Sequence, residues 1–225
     1  TATTEIYALS LHDALPIFLV FWGSISGRDA THLTVFDIPL ISNIPNMVYL
    51  APTCKEEYLR MLDWSVEQQD KPVAIRVPFG EVHTTGIEDR TDYSILNKYQ
   101  VVEKGSEVAI LGLGNFFHLG KKVQALLNEK FGIKATLINP KFITGVDEEL
   151  MESLKTEHKI VITLEDGVLD GGFGEKIARY FGYSEMKVLN FGAKKEFTDR
   201  ASVEELYTRY HLTPDLIIED IKACL

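Results

Sequence analysis

The sequence predicts an α/β fold built around a mainly parallel sheet. Three observations carry that reading. Short apolar runs rich in Val, Ile and Leu recur along the chain, as in Val108-Ala-Ile-Leu111 and Ile160-Val-Ile162. Stretches with apolar residues at helical spacing lie between them, as in Val123, Leu126 and Leu127. Gly, Pro and Asn punctuate the joins. Strands alternating with helices place helices on both faces of a parallel sheet, and strands buried on both faces read as continuous apolar runs.

The elements follow in order. Phe18 to Phe21 reads as a buried parallel strand, and Gly23 to Asp29 as a loop. Met47 to Ala51 is a strand. Thr53 with Glu56 makes a capping box for a helix that runs to about Gln69. Pro72 to Arg76 is a strand, closed by Pro78 and Gly80. Glu81 to Tyr99 is polar, without a clean period, and reads as a linker. The second block has strands at Glu107–Gly112, Ala135–Asn139, Lys159–Leu164 and Lys187–Asn190. Its helices are expected at Phe117–Phe131, Asp147–Leu154, Gly174–Phe181, Ser202–Tyr210 and Pro214–Ala223, with Ser202 and Glu205 as a second capping box.

The chain has 225 residues, of which 45% are hydrophobic and 25% charged, the balance of a folded protein. Its formal charge is −10, from 23 Lys and Arg against 33 Asp and Glu. That acidity argues against a general nucleic-acid binder, which needs a basic footprint. A small anionic substrate stays open, because a pocket can be basic while the whole is acidic. Two cysteines, Cys54 and Cys224, make neither a disulfide framework nor a zinc site, and a cytoplasmic, reducing setting is expected. No apolar run reaches the roughly 20 residues of a membrane helix.

Thr1 to Ile17 resembles the codon-by-codon translation of a short-read sequencing adapter, with Ala8 where the adapter reads Thr. It is excluded from fold reasoning. His12 and Asp13 then carry no catalytic meaning, and the natural product is expected to extend further upstream.

Four motifs bear on chemistry. Gly112-Leu-Gly114-Asn-Phe-Phe-His118 follows a strand and opens a helix, where a dinucleotide loop would sit. Phe117 replaces its third Gly, so the plain reading is a tight turn with a helix-start histidine. Glu165-Asp166-Gly167 and Asp170-Gly-Gly-Phe-Gly174 offer paired carboxylates, but their spacing matches no metal loop, and the glycines read as a sharp turn against a neighbouring domain. Asp29-Ala-Thr-His32 lies on a loop after a strand, where α/β sheets place ligands, and reads equally as a proton-exchanging site and as a surface loop. Arg76 ends a strand and suits either a phosphate or a local carboxylate. Cys54, beside a helix start that lowers thiol pKa, reads as an idle thiol.

Asp29-Ala-Thr-His32-Leu-Thr-Val-Phe-Asp37, Ile44-Pro-Asn-Met-Val-Tyr-Leu-Ala-Pro52, Pro72-Val-Ala-Ile-Arg76-Val-Pro78, Leu164-Glu-Asp and Gly171-Gly-Phe-Gly174 together resemble one family. It is 1-deoxy-D-xylulose-5-phosphate synthase, of the transketolase superfamily, and the resemblance runs from Phe18 to Leu225. It implies an α/β fold in which a partial pyrimidine-binding domain (residues 18–82) is followed by a linker (83–102) and a transketolase C-terminal domain (103–225). It implies a transferase that joins pyruvate, after decarboxylation, to glyceraldehyde 3-phosphate, with thiamine diphosphate and magnesium as cofactors. His32 would then be catalytic, exchanging protons with substrate oxygens. Asp29 would bind a substrate hydroxyl, with Arg76 as a further substrate-binding candidate. The cofactor-activating glutamate and the diphosphate- and magnesium-binding domain belong to the region upstream, so no cofactor-binding or metal-ligating residue is assigned here. The 225-residue chain is expected to be inactive alone, and its parent to be a homodimer, with neither nucleic acid nor membrane as partner.

The sequence departs from the family in places. Ala30 stands where the family has Gly-Pro, and Thr34 where it usually has Gly. Trp22 and Phe79 stand at the positions of two phosphate-holding arginines. A phosphate there loses its guanidinium forks, so either the acceptor differs from glyceraldehyde 3-phosphate or its phosphate is held elsewhere. The rival readings are a transketolase proper, a 2-oxo acid dehydrogenase beta subunit, and a non-catalytic assembly module.

Overall fold

The computed structural model describes residues 18–25, 34–77, 82–198 and 200–225. The chain forms an α/β fold on two sheets. The first sheet has three parallel strands, β1 (Phe18–Trp22), β2 (Val48–Leu50) and β3 (Val73–Val77), in the order β1-β3-β2. Helices α1 (Asp37–Ile41) and α2 (Lys55–Glu67) connect them. The second sheet has the order β4-β6-β5-β7-β8, from β4 (Gln100–Glu103), β5 (Glu107–Gly112), β6 (Thr136–Asn139), β7 (His158–Val168) and β8 (Lys187–Ala193). Three of its four pairings follow the sequence expectation: β6, β5, β7 and β8 run parallel, and only the edge strand β4 is antiparallel. Helices α3 (Phe116–Phe131), α4 (Glu148–Glu157), α5 (Phe173–Phe181), α6 (Val203–Arg209) and α7 (Pro214–Lys222) complete the fold.

Burial explains these elements. Val108, Ala109, Ile110 and Leu111 of β5 are all fully buried, as a central parallel strand requires. In α5 Phe173, Ile177 and Phe181 recur every four residues and are buried, each burial contributing roughly 1.5–3 kcal/mol. Ser202 accepts from the Glu205 N–H, and Thr213 caps α7, where Pro214 fills the first turn.

Several boundaries differ from the sequence reading. At α2 the N-cap is Cys54, one residue later than expected. Glu57, not Glu56, reaches back to Thr53, accepting from its N–H at 2.8 Å and its hydroxyl at 2.9 Å. Glu56 instead holds the Thr85 and Gly86 N–H groups at 3.0 and 2.9 Å. α1 carries a proline within five residues, and β4 is mostly exposed, so neither shows the expected periodicity. β7 runs on to Val168, which places Glu165 and Asp166 in the strand itself. β1 is parallel but lies at the sheet edge, with Leu19 and Val20 at 37% and 43% exposure.

Backbone bonds stitch the two sheets together. The Ala51 N–H donates to Lys141 O at 2.8 Å, and the Ile143 N–H to Tyr49 O at 2.7 Å, flanking a Leu50–Phe142 bridge. One apolar cluster runs across this seam, taking in Tyr49 and Ile75 from one side and Phe142 and Phe173 from the other.

Candidate functional site

The seam ends in a buried polar cluster at the carboxyl ends of β3 and β7. An arginine at the end of an apolar strand needs a partner once buried, and Arg76 is 4% exposed. Its Nε donates to Asp37 Oδ2 at 2.7 Å and its Nη2 to Asp37 Oδ1 at 3.1 Å. The Nη2 also donates to the main-chain oxygen of Asp166 at 2.6 Å. The Tyr49 hydroxyl donates to Asp37 Oδ2. Of the two sequence readings of Arg76, the structure displays the local carboxylate.

This pairing sets the electrostatics. Burial opposes the Arg76 charge, but the Asp37 carboxylate more than offsets it, and the guanidinium is held above its ordinary pKa. Burial, helped by Asp37, raises the Tyr49 phenol. Gly23 lies against this cluster: a Cβ there would sit 2.3 Å from Arg76 Nε, so no side chain fits.

Glu165 and Asp166 close the site from the second sheet. Glu165 accepts from the Phe173 and Gly174 N–H groups at 2.8 and 2.7 Å, which caps α5. Asp166 Oδ1 accepts from the Ile25 N–H at 2.7 Å. Burial pushes both carboxyls up to about 7; the α5 amides act against this at Glu165, and Arg76 acts against it at Asp166. A Cβ on Gly167 would lie 3.0 Å from Ile38 Cδ1 and one on Gly171 3.1 Å from Pro39 Cβ, and Gly171 has φ +71°. The Gly-rich stretch therefore makes a close turn against α1 of the first block, as its structural reading has it.

Asp29, His32 and Phe79 lie outside the described residues. The described backbone on either side of Asp29 and His32 is tied down: Ile25 by Asp166, and Val35 by its oxygen, which accepts from the Val168 N–H at 3.0 Å. Trp22 ends β1 at 63% exposure.

A second polar cluster fastens the linker. Glu57 Oε1 accepts from Asn139 Nδ2 at 2.8 Å and lies 3.4 Å from Lys141 Nζ. Lys141 is 2% exposed and also donates to Thr91 Oγ1 at 2.6 Å and Asp89 Oδ1 at 3.3 Å. At Cys54 burial outweighs the helix start and raises the thiol pKa, the reverse of the sequence expectation.

Asp37, Tyr49 and the Asp166 main chain escaped the sequence reading as partners of Arg76. Only the cation closing an apolar strand pointed to them.

Comparison with known proteins fits this architecture. Residues 97–217 match the family model for the transketolase C-terminal domain, and the chain belongs to that family. Among its relatives are 1-deoxy-D-xylulose-5-phosphate synthases. The enzyme of Clostridium tetani (strain Massachusetts / E88) is 34% identical over 229 residues, covering 98% of this chain and 36% of the relative. That of Symbiobacterium thermophilum is 31% identical over 232 residues, covering 100% of this chain and 36% of the relative. The chain thus spans about a third of the length of these relatives. A solved chain described as a split-gene transketolase in an inactive beta4 tetramer shares the fold, with TM-score 0.76 at 20% identity over 95% of this chain and 69% of that one. Among the described residues no helix is long and apolar enough to cross a membrane.

Proposed function

We propose that this chain is the carboxyl-terminal portion of a thiamine-diphosphate-dependent transferase of the 1-deoxy-D-xylulose-5-phosphate synthase type. The parent would join pyruvate to glyceraldehyde 3-phosphate as a cytoplasmic homodimer. The observation that carries the reading is the similarity to these synthases over 98% of the chain, through both sheets and the seam between them. In this reading residues 18–82 are the later part of a pyrimidine-binding domain, 83–102 the linker and 103–225 the C-terminal domain.

Thiamine diphosphate supplies the carbanion chemistry when bound. The described residues do not fit its magnesium–diphosphate end: they include no group of three or more His, Cys, Asp or Glu placed to hold a metal. The cofactor's site would belong to the rest of the parent. What this chain supplies is position. Asp166 and the Val168 N–H fix the backbone on both sides of Asp29 and His32, and Arg76 fixes Asp37. His32 would exchange protons with substrate oxygens, and Asp29 would bind a substrate hydroxyl. A substrate anion at Arg76 would have to compete with Asp37 for the guanidinium.

The test is to sequence the source DNA upstream of the Phe18 codon and express the complete frame. The expected product with pyruvate, glyceraldehyde 3-phosphate, thiamine diphosphate and magnesium is 1-deoxy-D-xylulose 5-phosphate, with no turnover by the 225-residue chain alone. Carboligation by that chain alone would overturn the reading. A stop codon directly upstream would instead favour a separate subunit, the reading that the likeness to a split-gene transketolase chain supports.

A further inference from the structure

A cleft of about 600 Å³ lies between the start of α3, the segment at His83 and the α6–α7 turn, its lining residues Asn115 and Tyr207 bordering Asp166. Its described lining includes Lys121, Lys122, His83 and His118, and no carboxylate. In a chain with ten more acidic than basic residues, such a lining is a local reversal of charge. The two imidazoles are stacked, with ring centroids 3.7 Å apart and planes at 33°. His118 Nε2 lies 2.8 Å from the Thr53 carbonyl oxygen, which fixes its ring. Neither Lys121 nor Lys122 makes an ion pair among the described residues; the Lys121 ammonium lies 5.5 Å from the Phe117 ring centroid. Tyr207 and Thr213 add hydroxyls, and Phe116 and Leu212 give the cleft an apolar wall. Its volume exceeds what a bare phosphate fills and falls in the range of small-molecule sites.

We infer that this cleft is a binding site for a small phosphomonoester. The two ammonium groups match its double negative charge, the histidines and hydroxyls supply further hydrogen bonds, and the apolar wall receives its organic part. Burial lowers the His118 pKa, and the charges of His83 and Lys121 lower it further, against the Thr53 oxygen and Glu57, which raise it. A bound dianion would reverse the balance and raise it. The inference stands apart from the transferase reading, because it needs neither the upstream region nor a cofactor.

The test is an NMR titration of the histidine ring signals in the 225-residue chain at constant ionic strength. His83 and His118 are assigned with His83→Gln and His118→Gln. The probes are ribose 5-phosphate, inorganic phosphate and uncharged ribose. Saturable shifts of both rings with the two phosphates, and none with ribose, are expected. Lys121→Gln with Lys122→Gln should weaken binding at least fivefold, while Lys104→Gln with Lys134→Gln leaves it unchanged. The His118 titration midpoint should move to higher pH when ribose 5-phosphate is bound. Absence of saturable shifts, equal shifts with sodium chloride, or unchanged affinity in the Lys121/Lys122 variant would overturn the site.

Discussion

Arg76 and Asp37 meet as a buried two-point ion pair between residues 39 apart in sequence, with contacts of 2.7 and 3.1 Å. Arg76 comes from the end of a strand, Asp37 from the start of a short helix, and a carbonyl oxygen of the second sheet shares the guanidinium. The pair is thus the point where both sheets lean on one cation.

Removing one partner leaves the other charged and buried, which costs about 3–5 kcal/mol. Arg76→Met and Asp37→Asn should each lower stability by that order in urea denaturation. The double variant Asp37→Asn with Arg76→Met should lose less than the sum. Additive losses would show that the two groups are not coupled.

Gly23→Ala reaches the same pair from outside. Its Cβ would lie 2.3 to 2.6 Å from the guanidinium atoms, so the arginine must leave Asp37 or the strand end must move. Its destabilisation should be comparable to that of Arg76→Met, and combining the two should add little. An alanine that costs nothing would show that the close approach is not maintained in solution.

Stability should peak in mildly acidic solution. Glu165 and Asp166 sit at about 7 when folded, against ordinary values near 4. Between those limits the folded chain keeps protons that the unfolded chain has released. Their contribution is full below about 4 and is lost as pH rises through 7. His158 works in the opposite sense: burial lowers its pKa, so its contribution is lost as pH falls below about 6.5. The urea midpoint should therefore fall as pH rises towards 7 and level off above it, and Glu165→Gln should flatten that fall. A midpoint that climbs steadily over this range would contradict the assignment.

Lys141 is the nail of the linker. It is buried and reaches Glu57, Asp89 and Thr91 from β6's end. Lys141→Met should leave both sheets folded but loosen residues 82–98. Limited trypsin digestion should then cut at Arg90 faster than in the parent chain, with little change in far-UV circular dichroism. Unchanged cleavage would place the linker's hold elsewhere.

Most elements were legible because their burial is periodic. Val123, Leu126 and Leu127 read as an apolar helix face, and Glu107 to Gly112 as a strand, from the sequence alone. α1 and β4 were not, since one is five residues long with Pro39 inside and the other is a largely exposed edge. The capping box at Thr53 slipped by one residue because Glu56 and Glu57 are chemically alike and only tertiary contacts choose between them. The Arg76 cluster was half legible. A cation closing an apolar strand announces a partner, but Asp37, Tyr49 and the Asp166 carbonyl come together only through the sheet-to-sheet packing.

That packing has one more consequence. The bonds from Ala51 to Lys141 and from Ile143 to Tyr49 use main-chain groups alone. No codon change can delete a peptide N–H or carbonyl, apart from one that installs proline. The joint is therefore insulated from sequence drift in a way that Arg76 and Asp37, each one substitution from failure, are not.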